Sequence, residues 1–226
     1  MKFRLPMTAL MFGAALSAAP AFAKDKEPVT PAPVTLPTVI DTDQSHDPDD
    51  VLLLDLSDGG RVAIRLMPKW APNHVERIKT LTKEGFYNGL IFHRVIEGFM
   101  AQTGDPTGTG QSGSKLPDLQ AEFNSMPHVR GTVSMARTND PNSANSQFFI
   151  VFYPRFALDR KYTVFGRVIA GMPYVDAIQR GEPPTNPTKI VQASLASEHK
   201  PAPAAPVAPA ALAAPSVSDL NNSKSN

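Results

Sequence analysis

The feature that most constrains the fold is a succession of short β-rich segments in the middle of the chain, separated by turns rich in glycine and proline. The first two, Val51–Leu56 and Arg61–Leu66, flank Asp58-Gly59-Gly60 and predict a β-hairpin. The pattern predicts further strands at 90–96, 99–103, 129–136, 147–152, 162–169 and 189–195. The chain is therefore expected to be mainly β.

Helical periodicity occurs in only two places. The segment 70–85 carries Val75, Ile78 and Leu81 on one stripe, with Pro72 in its first turn and Gly85 at its end. A second, short helix is predicted at 173–180. Two helices are too few for repeated strand-helix-strand units. We therefore predict a closed eight-stranded antiparallel barrel capped by two α-helices.

The first 23 residues have the composition of a secretory signal peptide. A basic start with Lys2 and Arg4 precedes an apolar stretch at 7–16 and the small-x-small sequence Ala21-Phe22-Ala23. The apolar stretch is well short of the ~20 residues that a membrane-spanning helix needs. We predict cleavage after Ala23, a periplasmic location and no integral membrane span in the mature protein.

The prolines are densest at the two ends of the chain. We interpret 24–47 as a Pro-rich disordered linker and 197–226 as a Pro/Ala-rich disordered tail, since neither contains enough large apolar residues to offset its ordering entropy. The intervening segment 48–196 is predicted to be a single domain.

Charge and cysteine content exclude several classes of function. Without Lys2 and Arg4 the chain has 20 basic and 21 acidic residues, a net charge of −1, so we expect no nucleic-acid partner. The chain contains no cysteine, which excludes disulfides, zinc-thiolate sites and thiol catalysis. The five histidines have no metal-ligand spacing, so we predict neither a metal nor any other cofactor.

Two local patterns resemble functional motifs but lack the features that those motifs require, and two common catalytic motifs are absent. Gly108-Thr109-Gly110-Gln111-Ser112-Gly113 has the spacing of a dinucleotide-binding loop, but Pro117 opposes the helix that should follow. The aspartates between 41 and 50 match no calcium loop. Neither Gly-x-Ser-x-Gly nor His-Glu-x-x-His is present. We therefore interpret the glycine-rich segment as a surface loop and the aspartates as a solvated acidic stretch. The absent motifs remove most of the support for a hydrolase.

The segment 92–102 combines an arginine, a glutamine, two phenylalanines and a methionine. From composition alone, Phe92, Phe99 and Met100 would be ordinary core residues and Arg94 a surface charge.

Three motifs, in a fixed order along the chain, indicate a family resemblance that composition alone does not. The segment 92–105, reading FHRVIEGFMAQTGD, closely resembles the first cyclophilin motif. Ser134-Met135-Ala136 followed by 146–150, reading SQFFI, resembles the second, and 158–168 resembles the third. The resemblance covers the predicted domain and implies an eight-stranded barrel with an active groove on its outer surface. It also implies a peptidyl-prolyl cis/trans isomerase.

The resemblance assigns roles by position. Arg94 is similar to the family's catalytic arginine, and Gln102 to the glutamine that acts beside it. The remaining expected substrate-binding residues are Phe99, Met100, Gly108, Ala136, Gln147, Phe149, Leu158 and Tyr162. His93 is expected to be structural rather than a general base.

Two positions depart from many eukaryotic relatives. A tryptophan that precedes the pocket leucine in those proteins, and contributes to cyclosporin binding, is absent from Phe156-Ala157-Leu158, so we predict weak cyclosporin binding. Tyr162 replaces a histidine, which leaves substrate preference open.

We expect the partners to be proline-containing, unfolded or extended polypeptides of the secretory route. Two other functions stay open at this stage: a peptide-binding scaffold without turnover, and a generic barrel that binds a ligand in its interior.

Overall fold

The computed structural model describes residues 47–204. Its first two strands, β1 (Val51–Leu56) and β2 (Arg61–Leu66), form the predicted hairpin, with Leu54 opposite Val62. Alternate residues of β2 are buried and the others are partly exposed, as expected for a strand with one face on the core. Gly59 has a φ of 90°, a conformation that only glycine adopts readily, so the tight turn depends on it.

Helix α1 (Pro72–Lys83) buries Val75, Ile78 and Leu81, as its periodicity predicts. No side chain of its own caps its N-terminus. Glu122 takes that role from a distant loop, since its carboxylate accepts hydrogen bonds from the backbone N–H groups of Asn73 and His74, both at 3.1 Å. The helix start is thereby tied to the other side of the domain.

Six more strands and a second helix complete the architecture. In chain order they are β3 (Arg94–Ile96), β4 (Met100–Thr103), β5 (Thr132–Met135), β6 (Phe148–Val151), β7 (Val164–Ala170), α2 (Met172–Ala177) and β8 (Ile190–Leu195). The pairing is antiparallel throughout, and the strand order is β3-β4-β6-β5-β7-β2-β1-β8. The mainly β class and the two helices are confirmed.

The predicted closed barrel is wrong, because the eight strands form an open, curled half-barrel. Its edge strands, β3 and β8, share no ladder. The segment before β3 reaches across instead. It forms an isolated bridge between Ile91 and Lys189, and backbone hydrogen bonds from Gly89 N to Ile190 O at 2.7 Å, from Ile190 N to Leu90 O at 2.8 Å and from Phe92 N to Thr188 O at 3.0 Å. Turn residues at 85–89, including glycines of positive φ, keep this segment from forming a regular strand beside β8.

The concave side of the sheet is filled by side chains. Tyr87, Phe148 and Phe165 are fully buried, and their rings meet edge to face with centroids 5.6 and 5.9 Å apart. Aliphatic residues of β1 and β2 complete the core. A packed interior favours a functional site on the outer surface over the interior ligand site of a generic barrel.

The predicted boundaries meet the described residues only in part. The signal peptide 1–23, linker residues 24–46 and tail residues 205–226 lie outside the described range. The described chain continues past the predicted boundary at 196. Arg61 Nη2 donates to Lys200 O at 3.1 Å and Gln192 Nε2 to Pro201 O at 3.0 Å.

Within residues 47–204, no helix has the length and apolar character needed to cross a bilayer.

Candidate active site

A second, smaller apolar cluster lies apart from the main core. Met100, Phe149 and Val151, from β4 and β6, form its buried part. Partly buried residues packed against it are Ile96, Phe99, Ala136, Leu158 and Tyr162. Since adjacent strands place alternate side chains on the same face, β4 and β6 can serve both clusters, one on each side of the sheet. The smaller cluster forms the apolar floor of a groove.

The groove has a volume of about 720 Å³. The predicted site residues that line it are Arg94, Phe99, Met100, Gln102, Gly108, Ala136, Phe149, Leu158 and Tyr162. Gln147 instead lines an adjoining, more polar depression of about 480 Å³, whose lining also includes Gln102 and Ala136. The structure thus brings together residues that span 68 positions of sequence, from Arg94 to Tyr162.

Aromatic rings hold the apolar wall in place. Phe149 and Tyr162 meet edge to face, with centroids 5.8 Å apart and planes at 82°. Behind them, the fully buried His128 stacks on Phe149, and its Nδ1 lies 2.8 Å from Asp159 Oδ1. Burial lowers the pKa of His128, an effect that the Asp159 carboxylate opposes. These contacts leave the Phe149 ring few orientations.

Two arginines cover the outer edges of the wall. The guanidinium carbon of Arg137 lies 4.4 Å from the centroid of the Tyr162 ring, and that of Arg155 lies 5.2 Å from the Phe99 ring. Both distances are within the range of cation–π attraction. Arg155 also donates to the Gly98 carbonyl at 2.9 Å. Two cationic side chains therefore lie at the rim of the groove, beside its apolar floor.

Gln102 and Gln147 form the polar side. Gln102 Nε2 donates to Gln147 Oε1 at 2.8 Å, while Gln147 Nε2 donates to the carbonyls of Gly110 at 3.1 Å and Ser112 at 2.6 Å. The Ala136 N–H is bound to the Gln147 carbonyl at 2.9 Å. One side chain thus joins β4 to the loop that closes the groove.

Arg94 lies directly opposite Gln102 in the β3–β4 ladder. Its Nε donates to Glu182 Oε2 at 2.7 Å, and both side chains are about half exposed. Within residues 47–204, Nη1 and Nη2 of Arg94 make no hydrogen bond, so they remain available to a ligand in the groove.

His93 borders the groove but is 4% exposed, and its ring nitrogens make no hydrogen bond within the described residues. Burial lowers its pKa, and Arg94 adds to that effect, while Asp105 and the nearby Gln147 oppose it. A neutral, buried imidazole suits a structural residue.

Gly108 has a φ of 69°, and a Cβ there would lie 2.9 Å from Ile91 Cδ1. A side chain at this position would be strained and would push against the residue that bridges to β8.

Several groove residues were not predicted from the sequence: Thr109, Gly110, Gln111, Arg137, Glu182 and Pro183. Glu182 and Pro183 lie some 90 residues from Arg94 in a segment with no motif, and no local pattern relates them to the groove. Thr109, Gly110 and Gln111 follow Gly108 directly. Their adjacency to this predicted groove residue could have indicated that they also line the groove.

Within residues 47–204, no group of three or more histidine, aspartate or glutamate side chains is placed to hold a metal ion.

The sequence has well-defined relatives. Residues 51–195 match the family model described as cyclophilin type peptidyl-prolyl cis-trans isomerase/CLD. A probable peptidyl-prolyl cis-trans isomerase of Brucella suis is 47% identical over 177 residues, covering 71% of this chain and 90% of the relative. The human peptidyl-prolyl cis-trans isomerase-like 3 is 45% identical over 130 residues, 55% of this chain and 79% of the relative.

Solved structures agree in fold. The cyclophilin AquaCyp293 from Hirschia baltica has a TM-score of 0.64 and 34% identity, covering 70% of this chain and 78% of its own. A cyclophilin type peptidyl-prolyl cis-trans isomerase of Cryptosporidium parvum, solved in the presence of the dipeptide Ala-Pro, has a TM-score of 0.60 and 27% identity. It covers 64% of this chain and 98% of its own.

Proposed function

Because the chain belongs to the cyclophilin type peptidyl-prolyl cis-trans isomerase family, we propose that it isomerises X-Pro bonds non-covalently, with Arg94 as the donor to the prolyl nitrogen. That it is a peptidyl-prolyl isomerase follows from its family. The placement of Arg94 over an apolar groove is the observation that carries the proposal about mechanism.

The chemical problem is a rotation. Turning an X-Pro bond disrupts amide resonance against a barrier of about 18–20 kcal/mol, so the uncatalysed step takes tens to hundreds of seconds. Shortening ~100 s to about a millisecond requires a factor of ~10⁵, or roughly 7 kcal/mol. Stabilising a twisted amide supplies this without a covalent intermediate.

Arg94 suits that task through its free terminal nitrogens. In the twisted transition state the prolyl nitrogen regains a lone pair that resonance had engaged in the planar amide. A donor beside that nitrogen binds the transition state better than the ground state, which is the condition for lowering the barrier. The guanidinium carries N–H donors and no acceptor, so its terminal nitrogens can only donate.

The apolar residues act on the same step in another way. The twisted amide has less charge separation than the planar one, so a dry environment penalises it less. Phe99, Met100, Phe149 and Leu158 would surround the proline ring and exclude water. We assign these four residues to the proline pocket, with Tyr162 as its outer wall and Gly108 as the point where the loop approaches closely.

The polar side would hold the peptide on each side of the rotating bond. Gln102 carries an amide oxygen that is not committed in its bond to Gln147, and Ala136 lines the groove beside it. Binding the peptide on both sides of the X-Pro bond would hold it in an orientation from which the bond can rotate. The Ala-Pro dipeptide used with the Cryptosporidium relative supports a proline-containing peptide as the ligand class.

We further propose that the protein acts in the periplasm on secreted polypeptides during folding. The signal-peptide pattern at 1–23 supports this, and the absence of cysteine suits an oxidising compartment. Sequencing the mature N-terminus from a periplasmic fraction tests it. A chain beginning at Lys24 is expected, and an uncleaved cytoplasmic chain would refute the location.

The mechanism is tested with Arg94→Ala in a protease-coupled assay on a proline peptide, with peptide binding measured separately. We expect kcat/KM to fall by at least 100-fold while binding changes much less. Arg130→Ala is a matched control, since Arg130 is equally exposed but pairs with Asp176 outside the groove. Undiminished turnover in Arg94→Ala would refute the donor role, and binding by the wild type without turnover would favour a scaffold.

A further inference from the structure

The strongest unassigned feature of the groove is the side chain of Glu182. It lies in the segment between α2 and β8, 88 residues from Arg94. Family membership and the sequence motifs assign it no role. Yet it lines the groove together with Pro183 and makes the one hydrogen bond that the Arg94 side chain has within residues 47–204.

The backbone, and not the ion pair alone, brings Glu182 to this place. Gly181 forms an antiparallel bridge with Val95, the neighbour of Arg94, through hydrogen bonds of 2.8 and 2.9 Å in both directions. Gly181 has a φ of 141°, and a Cβ there would lie 2.6 Å from Pro184 Cα. The turn thus requires glycine at 181, and it sets Glu182 across from Arg94.

Which nitrogen of Arg94 binds Glu182 determines whether the other nitrogens can reach a substrate. Glu182 binds Nε of Arg94 and leaves both Nη groups without a partner in the described chain. The guanidinium is planar, so a fixed Nε–H restricts the plane in which its terminal N–H groups lie. A carboxylate that took both Nη groups would instead occupy the donors that a substrate needs.

We propose that Glu182 is a positioning residue for the reaction, holding the Arg94 guanidinium in the plane from which its terminal N–H groups reach a bound proline. The inference rests on the proposed donor role of Arg94. Both partners are about half exposed, and exposed pairs are individually weak. Glu182 therefore biases the orientation of Arg94 without locking it, and we expect a moderate kinetic effect.

Kinetics give the first test. Glu182→Ala should lower kcat three- to tenfold with little change in KM, because the donor acts in the transition state. Glu182→Gln, which keeps an acceptor oxygen for Nε–H, should lie between the alanine variant and the wild type. In an Arg94→Ala background, Glu182→Ala should have no further effect, since the two residues act as one unit.

Glu97 offers a matched control. It lies in the β3–β4 turn, it forms a similarly short ion pair with Arg180, 2.6 Å between Oε2 and Nε, and it does not line the groove. Glu97→Ala should leave kcat and KM as they are. An equal loss of activity in both glutamate variants would show a general electrostatic or stability effect and would overturn the positioning role.

A spectroscopic test is independent of turnover. The ¹H–¹⁵N resonance of Arg94 Nε–H, assigned by its loss in Arg94→Lys, should be shifted and protected from exchange in the wild type. In Glu182→Ala it should move toward the position of a solvent-exposed arginine. Failure of the proposed donor role would leave this shift intact but would also leave turnover undiminished in Arg94→Ala, so the two failures are distinguishable.

Besides an equal loss of activity in both glutamate variants, three outcomes would overturn the inference: unchanged kcat in Glu182→Ala, an unshifted Nε–H resonance, or a kcat that rises on removing the carboxylate. The last would mean that Glu182 restrains Arg94 and inhibits the enzyme.

Discussion

Gln102 and Gln147 are joined by a hydrogen bond of 2.8 Å from Nε2 to Oε1, and this bond lies between the apolar groove and the polar depression beside it. The same Gln147 side chain holds the carbonyls of Gly110 and Ser112. Three hydrogen bonds on one amide thus connect strand β4 to the loop that closes both depressions. The peptide-holding side of the groove depends on this amide.

Gln147→Ala should therefore weaken substrate binding more than turnover. It frees Gln102 and releases the loop at 110–112, so we expect KM to rise about tenfold and kcat to change less than threefold. The stability loss should be about 1–2 kcal/mol, as for other lost part-buried hydrogen bonds. Gln120→Ala, at an exposed position outside both depressions, is the control. A fall in kcat with no change in KM would contradict the assignment of Gln147 to peptide binding.

Ala157→Trp should increase cyclosporin inhibition. Ala157 is exposed beside Leu158, so an indole has room to extend the apolar wall there. We expect weak inhibition of the wild type and an at least tenfold lower inhibition constant for the variant, with little change in kcat/KM. Titration of isomerase activity with the drug measures both. Tight, stoichiometric inhibition of the wild type would show that the indole is not needed.

Glu122→Ala should destabilise the domain by about 2 kcal/mol. It leaves two N-terminal N–H groups of α1 without an acceptor, together with the buried His74 Nδ1, which lies 2.7 Å from Glu122 Oε2. Urea unfolding at neutral pH measures the change. Glu76→Ala, an exposed position on the same helix, should cost less than about 0.5 kcal/mol. Equal effects at both positions would exclude the capping role.

The same carboxylate makes stability depend on pH. Burial alone would raise the pKa of Glu122, but hydrogen bonds from His74 and Asn73 outweigh it and lower the pKa below its ordinary value near 4.5. A carboxylate with a lowered pKa contributes stability above its unfolded value and loses it as the pH falls through the folded value. The stability difference between wild type and Glu122→Gln should therefore shrink below about pH 4.5. A difference that grows toward acid would contradict this.

Gly171→Ala, in the link between β7 and α2, should be among the more damaging single substitutions. Gly171 has a φ of 83°, and a Cβ there would lie 2.2 Å from the Arg61 carbonyl oxygen. The left-handed conformation costs about 1–2 kcal/mol for other residues, and the clash adds a similar amount, giving a loss of about 3 kcal/mol. Gly98→Ala separates the two effects, because Gly98 has a φ of 67° and open space around it. If Gly98→Ala cost as much, the clash would play no part.

Local patterns predicted much of the fold. The β1–β2 hairpin has the bounds that its alternation and glycine turn predict, and α1 buries the predicted stripe. Strand ends elsewhere differ by a few residues, most at β3, where the prediction of 90–96 becomes Arg94–Ile96. Residues before Arg94 would belong to β3 only if a neighbouring strand lay within hydrogen-bonding distance of them. No local sequence pattern predicts how far away that neighbouring strand lies.

The motifs likewise predicted most of the groove. Arg94, Phe99, Met100 and Gln102 lie in a single short stretch, so recognising the stretch places them together. Glu182 and the pair of His128 with Asp159 behind Phe149 were not predicted, because each depends on a contact between segments far apart in sequence.

By itself the sequence determined the β-rich class, the two helices, the family and most of the groove residues, because turn chemistry, periodicity and motif sequences can be read from the chain itself. The tertiary structure alone decided that the sheet stays open between β3 and β8, that Glu122 caps α1, and that Glu182 binds Arg94. Closure of a sheet and pairing of distant charges depend on how curved strands bring remote segments together. Only the folded arrangement of the whole domain sets those distances.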